Sequence, residues 1–256
     1  MTGLFFSTTR FLAVVAGVIL LVGCFGASVE QQIRQSQYLI EQSKPEQALV
    51  ILDQSIESEP ERSEIYYWRG RAHREMGDLA RALADYDKAI ALDPLQTDYY
   101  LARGLLYVSE AEPEKAIEEW TIALEIDSSN SDLFYNRGLA YIALDKPFEA
   151  IMDWSAAIEI EPDNARFYFN RGTAYRYTRQ FDLALADFDQ AIALVPDYAS
   201  AYYNRALTQT YLGRARDAVR DLRKYLELEP DADDREVVEA EILRLNTLFP
   251  PIGNQD

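Results

Sequence analysis

The feature that most constrains this chain is a period of 34 residues that runs through most of its 256 residues. Small and turn-forming residues recur at this interval with no insertion or deletion. They form a glycine series (Gly70, Gly104, Gly138 and Gly172, continued by Ala206), an alanine series (Ala48, Ala82, Ala116, Ala150, Ala184 and Ala218) and a proline series (Pro60, Pro94, Pro162, Pro196 and Pro230, with Ser128 in the one remaining slot). A fixed period of this length is typical of arrays in which one small structural element stacks on the next.

Each repeat has the pattern of two helices. In the fifth repeat Tyr168, Gly172 and Tyr175 are spaced i, i+4 and i+7, so they lie on one face of a first helix. Gly172 opposite Ala184 lets a second helix approach closely, and Phe188 fills the adjoining space. In three repeats a proline occupies the expected first position of the second helix: Pro45, Pro113 and Pro147. The first position of a helix tolerates proline because its N–H has no partner within the helix.

The period and these slots resemble the tetratricopeptide repeat. The resemblance implies an all-α fold, a right-handed α-α superhelix (solenoid) of helical hairpins. We predict six repeats, over residues 29–62, 63–96, 97–130, 131–164, 165–198 and 199–232.

Both ends depart from the pattern. In the first repeat Ser36 takes the glycine slot, as in a degenerate capping repeat. The acidic stretch 231–234 can cap a helix start, and we expect a capping helix over 233–249 and a tail over 250–256. The expected apolar face of this helix is Val238, Ile242, Leu245 and Leu248.

One charged series also follows the period. Each of five arginines is followed sixteen residues later by an acidic residue. The pairs are Arg69 and Asp85, Arg103 and Glu119, Arg137 and Asp153, Arg171 and Asp187, and Arg205 and Asp221. Because a catalytic pair has no need to recur in five repeats, we predict a structural ladder that ties helices together.

Residues 1–23 have the pattern of a signal peptide. The cation Arg10 precedes an uncharged run from Phe11 to Val22, and the first acidic residue is Glu30. That run is shorter than the roughly 20 residues of a membrane span.

Leu21, Val22, Gly23 and Cys24 resemble the lipobox of bacterial lipoproteins. The resemblance implies cleavage before Cys24, acyl chains such as palmitate on that residue, and a short linker over 24–28. The chain would then be anchored in the bacterial cell envelope, facing the periplasm or the exterior. Phe25 in place of Asp favours the outer membrane if the source is Gram-negative. The alternative is an uncleaved transmembrane helix.

The composition excludes several classes of function. Lys plus Arg number 25 against 43 Asp plus Glu, a net charge of -18, which argues against nucleic acid and anionic lipid as charged partners. With one cysteine, Cys24, and one histidine, His73, the chain cannot form a Cys/His zinc cluster. We interpret His73 as a packing substitute for Tyr107, Tyr141 and Tyr175. We predict no cofactor, no metal site, no small-molecule substrate and no catalytic residue, and therefore no enzyme.

In tetratricopeptide arrays the first helix of each hairpin lines a concave groove that binds peptides or folded partners. Carried over slot by slot, the groove positions hold four acidic residues and four arginines, so the groove is neutral. The candidate binding residues are Tyr67, Trp68, Arg71, Arg74, Tyr135, Asn136, Phe169, Asn170, Arg176, Tyr177, Tyr203, Asn204 and Tyr211. Aromatic anchors beside amides suit an extended peptide. The alternative is that several of these rings pack between adjacent helices.

The carboxylate clamp of cochaperone tetratricopeptide domains is absent. The slots that require Lys and Asn hold Tyr135 and Leu139 in the fourth repeat and Phe169 and Thr173 in the fifth.

The sequence therefore predicts a membrane-anchored, exported scaffold or adaptor that binds a partner protein in a cell-envelope assembly. Two alternatives remain: a protein that binds peptidoglycan or another glycan, and an accessory subunit of an enzyme complex.

Overall fold

A computed structural model describes residues 27–249. The predicted signal peptide, Cys24 and the predicted tail lie outside these residues. The described part of the chain forms thirteen α-helices and no β-strand, which confirms the all-α class. None of these helices has the length and apolar character needed to cross a membrane.

The chain divides into two compact units, one ending at Glu110 and the other beginning at Ala111. Within each unit, consecutive helices pack against one another as predicted for a tetratricopeptide solenoid. The helices of the N-terminal unit are α1 (Val29–Glu41), α2 (Pro45–Ser58), α3 (Ser63–Glu75), α4 (Leu79–Leu92) and α5 (Thr97–Ser109). The helices of the C-terminal unit are α6 (Pro113–Ile126), α7 (Ser131–Ala143), α8 (Pro147–Ile160), α9 (Ala165–Tyr177), α10 (Phe181–Leu194), α11 (Ala199–Tyr211), α12 (Ala215–Leu228) and α13 (Arg235–Leu248).

The turn after the first helix of each repeat contains one residue in the left-handed region. These residues also recur every 34 positions: Ser43 (φ 55°), Gly77 (φ 77°), Ala111 (φ 59°), Asp145 (φ 56°), Arg179 (φ 62°) and Gly213 (φ 71°). Such a residue ends a helix and satisfies its last carbonyl groups. Only two of the six are glycine, so the sequence pattern did not reveal this slot.

The glycine series accommodates a ring from the second helix of the same repeat. A Cβ atom on Gly138 would lie 2.6 Å from Nε1 of Trp154, and one on Gly70 would lie 2.7 Å from Cε1 of Tyr86. In the sixth repeat Leu222 replaces the ring, and the smaller side chain leaves room for Ala206. Glycine in this slot is therefore required by the size of the residue that packs on it.

The predicted ladder is confirmed in the four repeats in which both partners belong to one unit. Nε and Nη2 of each arginine donate to the two carboxylate oxygens of the aspartate, at 2.7 to 2.9 Å. All four aspartates are buried. The pairs are Arg69 and Asp85, Arg137 and Asp153, Arg171 and Asp187, and Arg205 and Asp221.

Each of these four arginines, and Arg103 as well, makes a second contact that the sequence did not predict. Nη1 of each donates to a residue sixteen positions earlier, at 2.6 to 3.1 Å. The acceptors again follow the 34-residue period: Asp53, Asp87, Thr121, Ser155 and Asp189. One guanidinium therefore links the second helices of two successive repeats.

The C-terminal helix differs in detail from the prediction. Asp234 occupies its N-cap position, but the side chain makes no capping hydrogen bond. Its Oδ1 accepts a hydrogen bond of 2.8 Å from the Tyr225 hydroxyl instead. Val238 and Leu245 are buried as expected, whereas Leu248 is 58% exposed, so its place on the apolar face was wrong.

Candidate functional site

The predicted groove residues of the N-terminal unit lie on α3. The Tyr67 ring is half-buried and packs at 5.1 Å, centroid to centroid, on the rings of both Trp68 and Tyr99. The guanidinium of Arg71 lies 4.7 Å from the Trp68 ring centroid. Arg74 is half-buried near the end of the same helix. These rings are largely engaged with one another.

A polar cavity of about 580 Å³ lies beside these rings. Four acidic residues and one cation contribute to its lining: Glu61, Glu64, Asp93, Asp98 and Arg62. The hydrogen bond to Glu64 raises the pKa of the Arg62 guanidinium above its ordinary value. This cavity of the N-terminal unit is thus polar and acidic.

Three of the predicted rings in the C-terminal unit pack between helices. Tyr135 contacts the Phe167 ring at 5.4 Å, Phe169 contacts Tyr198 at 4.9 Å, and Tyr203 contacts Tyr225 at 5.1 Å. All three predicted rings are half-buried. At these three positions the alternative interpretation, in which the ring packs against a neighbouring ring, describes the structure. Only the exposed part of each ring can contact a ligand.

The C-terminal unit contains an apolar pocket of about 340 Å³. Its lining comes from α7, the following turn, α8 and α9: Leu139, Ile142, Asp145, Pro147, Trp154, Asn170, Thr173, Ala174 and Tyr177. We call it the Trp154 pocket. Trp154 is only 2% exposed, and its Nε1–H donates to the backbone carbonyl of Tyr135 at 3.2 Å. This indole is therefore held rigidly in place.

Tyr177 contributes an exposed wall to the Trp154 pocket. Its side chain is 65% exposed, and its hydroxyl donates to Oδ1 of Asp145 at 2.8 Å. The hydrogen bond to Asp145 raises the pKa of the Tyr177 hydroxyl. Asp145 occupies the left-handed position of the turn. This strained backbone conformation places the Asp145 carboxylate where it accepts the hydrogen bond and so holds the Tyr177 ring in place.

A row of amides follows the same side of α7, α9 and α11, which we call the groove side. Nδ2 of Asn136, Asn170 and Asn204 donates to the backbone carbonyl four residues earlier, at 2.7, 2.8 and 2.9 Å. This bond fixes the orientation of each amide. In residues 27–249, Oδ1 of Asn136 and of Asn170 accepts no hydrogen bond from the protein.

Arg176 and Tyr211 complete the predicted set. Nη2 of Arg176 donates to Oδ1 of Asn204 at 3.2 Å, and its buried Nε has no hydrogen-bond partner. Tyr211 is 66% exposed and stacks on the Phe181 ring at 5.4 Å.

The sequence prediction missed part of the pocket. Asn170 and Tyr177 were candidate residues, but Asp145, Pro147 and Trp154 were not. They come from the turn and the second helix, whereas the groove was assigned from first helices alone. Nothing in the periodicity marks these residues as accessible to a ligand.

No group of three or more His, Cys, Asp or Glu side chains within residues 27–249 is arranged to hold a metal ion. The groups that the groove side offers for recognition are the apolar surface of the Trp154 pocket, the amides of Asn136 and Asn170 and the guanidinium of Arg176.

Two family models with the description "Tetratricopeptide repeat" match the chain, one over residues 33–97 and the other over residues 172–242. No curated protein matches the sequence significantly.

Solved structures share the fold. The chain is 26% identical to YrrB, described as a TPR protein with an unusual peptide-binding site, over 77% of this chain and 97% of that one, with a TM-score of 0.64. It is 27% identical to MamA, over 63% of this chain and 94% of that one, with a TM-score of 0.61. PilF of Pseudomonas aeruginosa is 16% identical, over 83% and 97% of the two chains, with a TM-score of 0.73, and shows similarity of fold alone.

Proposed function

This chain belongs to the tetratricopeptide repeat proteins, and we propose that its C-terminal unit binds an extended segment of a partner protein on the groove side. Proteins of this family are as a rule interaction scaffolds that have no catalytic activity of their own. The Trp154 pocket carries this proposal. It combines an apolar floor, an exposed aromatic wall and a neighbouring amide that is free to bond.

The pocket has the size and lining for one large apolar side chain of the partner. A cavity of about 150 Å³ holds a benzene ring, and the Trp154 pocket measures about 340 Å³. Leu139 and Ile142 on α7 are 39% and 41% exposed, so water leaves apolar surface when the pocket fills. This burial supplies affinity.

The amides supply a means of holding a peptide backbone. Oδ1 of Asn170 can accept a backbone N–H, and its second Nδ2 hydrogen can donate to a backbone carbonyl. Asn170 also lines the pocket, so one residue can contact both the anchoring side chain and the main chain beside it. An extended segment presents both kinds of group at regular spacing.

The similarity to YrrB supports the proposal. That protein is described as having a peptide-binding site, and this chain covers 97% of its length at 26% identity.

The test begins with selection of peptides from a displayed random library on the purified full-length chain. Affinity for the best peptide is then measured by titration calorimetry. We expect Tyr177→Ala and Asn170→Ala each to weaken binding by about 10- to 30-fold, since well-placed interface residues contribute about 1.4 to 2 kcal/mol or more.

Phe148→Ala is the matched control. Phe148 is 63% exposed on α8, comparable with Tyr177, but does not line the pocket. Its removal should change affinity by less than about twofold. Equal effects of Tyr177→Ala and Phe148→Ala, or no effect of either, would refute the proposed site.

We further propose that the chain is exported and anchored by acyl chains on Cys24 in the bacterial cell envelope. The support is the sequence alone, with Arg10, the uncharged run and the Leu-Val-Gly-Cys box. More than one acyl chain gives stable anchoring, since each buried CH2 contributes about 0.8 kcal/mol. Labelled palmitate should enter the native chain and not Cys24→Ser; equal labelling of both would contradict the anchor.

A further inference from the structure

We propose that Arg176, oriented by Asn204, binds a carboxylate of the partner segment. This inference rests on the proposed function and adds a chemical requirement to it. The partner carries an acidic side chain or a free C-terminus near its apolar anchor.

The donors of Arg176 are not satisfied within the protein. Its Nε is buried without a hydrogen-bond partner, and the one hydrogen bond found is the 3.2 Å contact from Nη2 to Asn204. No carboxylate in residues 27–249 forms an ion pair with it. A buried N–H without an acceptor is uncommon in folded proteins, and it shows that the surrounding protein provides no counter-group for this guanidinium. Both Nη1 hydrogens and the second Nη2 hydrogen also have no acceptor within residues 27–249, and these terminal donors are the ones that a carboxylate of a ligand can bind.

The ladder arginines show what a satisfied guanidinium looks like in this protein. Arg171, five residues earlier on the same helix, donates through Nε and Nη2 to Asp187 and through Nη1 to Ser155. The forked geometry of arginine favours bidentate binding of a carboxylate. Arg176 has the same fork and no carboxylate.

Asn204 fixes the orientation of the Arg176 guanidinium. Its Nδ2 donates to the Ser200 carbonyl at 2.9 Å, which turns Oδ1 toward Arg176. The amide thus holds one Nη2 hydrogen and leaves the second Nη2 hydrogen and the two Nη1 hydrogens for a ligand. The fourth repeat has Ile142 in the slot of Arg176 and the sixth has Thr210, so within the C-terminal unit this pairing of arginine and asparagine is found in one place.

The site differs from the cochaperone clamp. That clamp needs Lys and Asn in the slots of Phe169 and Thr173, neither of which can donate a charge-assisted hydrogen bond here. In this chain the cation comes from the last turn of α9.

The experiment uses two pairs of synthetic peptides built on a selected binder. In the first pair both ends are capped, and one internal position, scanned along the peptide, is Glu or Gln. In the second pair the internal sequence is neutral, and the C-terminus is a free acid or an amide. For one pair, we expect the acid to bind the full-length chain about tenfold more tightly than its neutral counterpart.

Variants assign the preference to Arg176. Arg176→Gln should reduce the ratio of the two affinities to about one, and Arg176→Lys should retain part of it, since the charge remains without the fork. Arg166→Gln is the control, because Arg166 lies on the same helix, 5.1 Å from the Tyr135 ring centroid, and should leave the ratio unchanged.

The outcomes separate this inference from the proposed function. A ratio near one for both pairs on the native chain, or a ratio that persists in Arg176→Gln, would overturn the carboxylate site. If the neutral peptides still bind and still depend on Tyr177, the proposed peptide site stands without it. Loss of the Tyr177 dependence would instead remove the proposed site itself.

Discussion

Helix α9 has two sides that use the same residue type in opposite ways. On its packing side, Arg171 donates three hydrogen bonds to two residues, Asp187 and Ser155. On its groove side, Arg176 donates one, to Asn204. The two arginines therefore differ in how many of their donors have an acceptor, and the proposed recognition role of Arg176 is inferred from that difference.

The tyrosines of α9 repeat this contrast. Tyr168 and Tyr175 are half-buried, each with the Arg171 guanidinium 5.8 Å from its ring centroid. Tyr177 is 65% exposed and is held only by its bond to Asp145. The packing side should govern stability and the groove side should govern binding.

The largest effect is expected from the packing side. Arg171→Ala leaves Asp187, which is 5% exposed, without its cation, and should lower the free energy of unfolding by about 3 kcal/mol. Arg176→Ala should lower it by less than about 1 kcal/mol. Urea denaturation of both variants tests the contrast, which disappears if the two losses are equal.

A second prediction concerns Trp154, which lines the pocket but belongs to the packing of its repeat. In Gly138→Ala the new Cβ would lie 2.6 Å from Nε1 of Trp154, so we expect a loss of about 1 to 2 kcal/mol in thermal or urea unfolding. Ala206→Gly, in the same slot opposite Leu222, should cost about 1 to 2 kcal/mol, through backbone entropy and the loss of a fully buried methyl group. A stabilised Gly138→Ala variant would show that the indole moves freely.

The left-handed position of the turn can separate stability from binding when two successive repeats are compared. Arg179→Gly should raise the free energy of unfolding by about 1 kcal/mol, because glycine relieves the left-handed strain at φ 62°. Asp145→Gly should give a similar or smaller gain, yet weaken peptide binding, since Tyr177 loses its hydroxyl partner. Calorimetric unfolding and titration of both variants test this. Unchanged binding in Asp145→Gly would mean that the Tyr177 wall needs no support.

The smallest effect is a dependence on pH from the packing side of α3. Burial lowers the pKa of His73, which lies 3.9 Å from Asp85, below its ordinary value of about 6.5. As pH falls through that value the unfolded chain binds the proton first, so stability decreases below about pH 6.5. His73→Tyr, which introduces the residue that the third, fourth and fifth repeats have in this slot, should remove this decrease between pH 7 and pH 5.5. An identical decrease in the variant would assign it to other groups.

The period predicted the helical hairpins and the arginine ladder because both depend on residues that recur in identity. It did not predict the left-handed slot, since Ser43, Ala111, Asp145 and Arg179 share a backbone conformation and no chemistry. The second ladder contact was missed for a similar reason, as Asp, Thr and Ser all accept the same hydrogen bond.

The groove was harder to predict than the fold. Slot assignment placed Asn170 and Tyr177 at the pocket, but it gave equal weight to Tyr67 and Phe169, whose rings are occupied by neighbouring rings. The difference depends on which second-helix residue faces each ring. A slot in a single repeat does not carry that information.

The central claim is that a partner segment occupies the groove side of the C-terminal unit. Methyl NMR spectra of the full-length chain, recorded as a selected peptide is added, test it most directly. The methyl groups of Leu139 and Ile142 should shift, while that of Met152, 73% exposed on α8 and outside the pocket, should not. Shifts at Met152 with none at Leu139 and Ile142 would contradict the account.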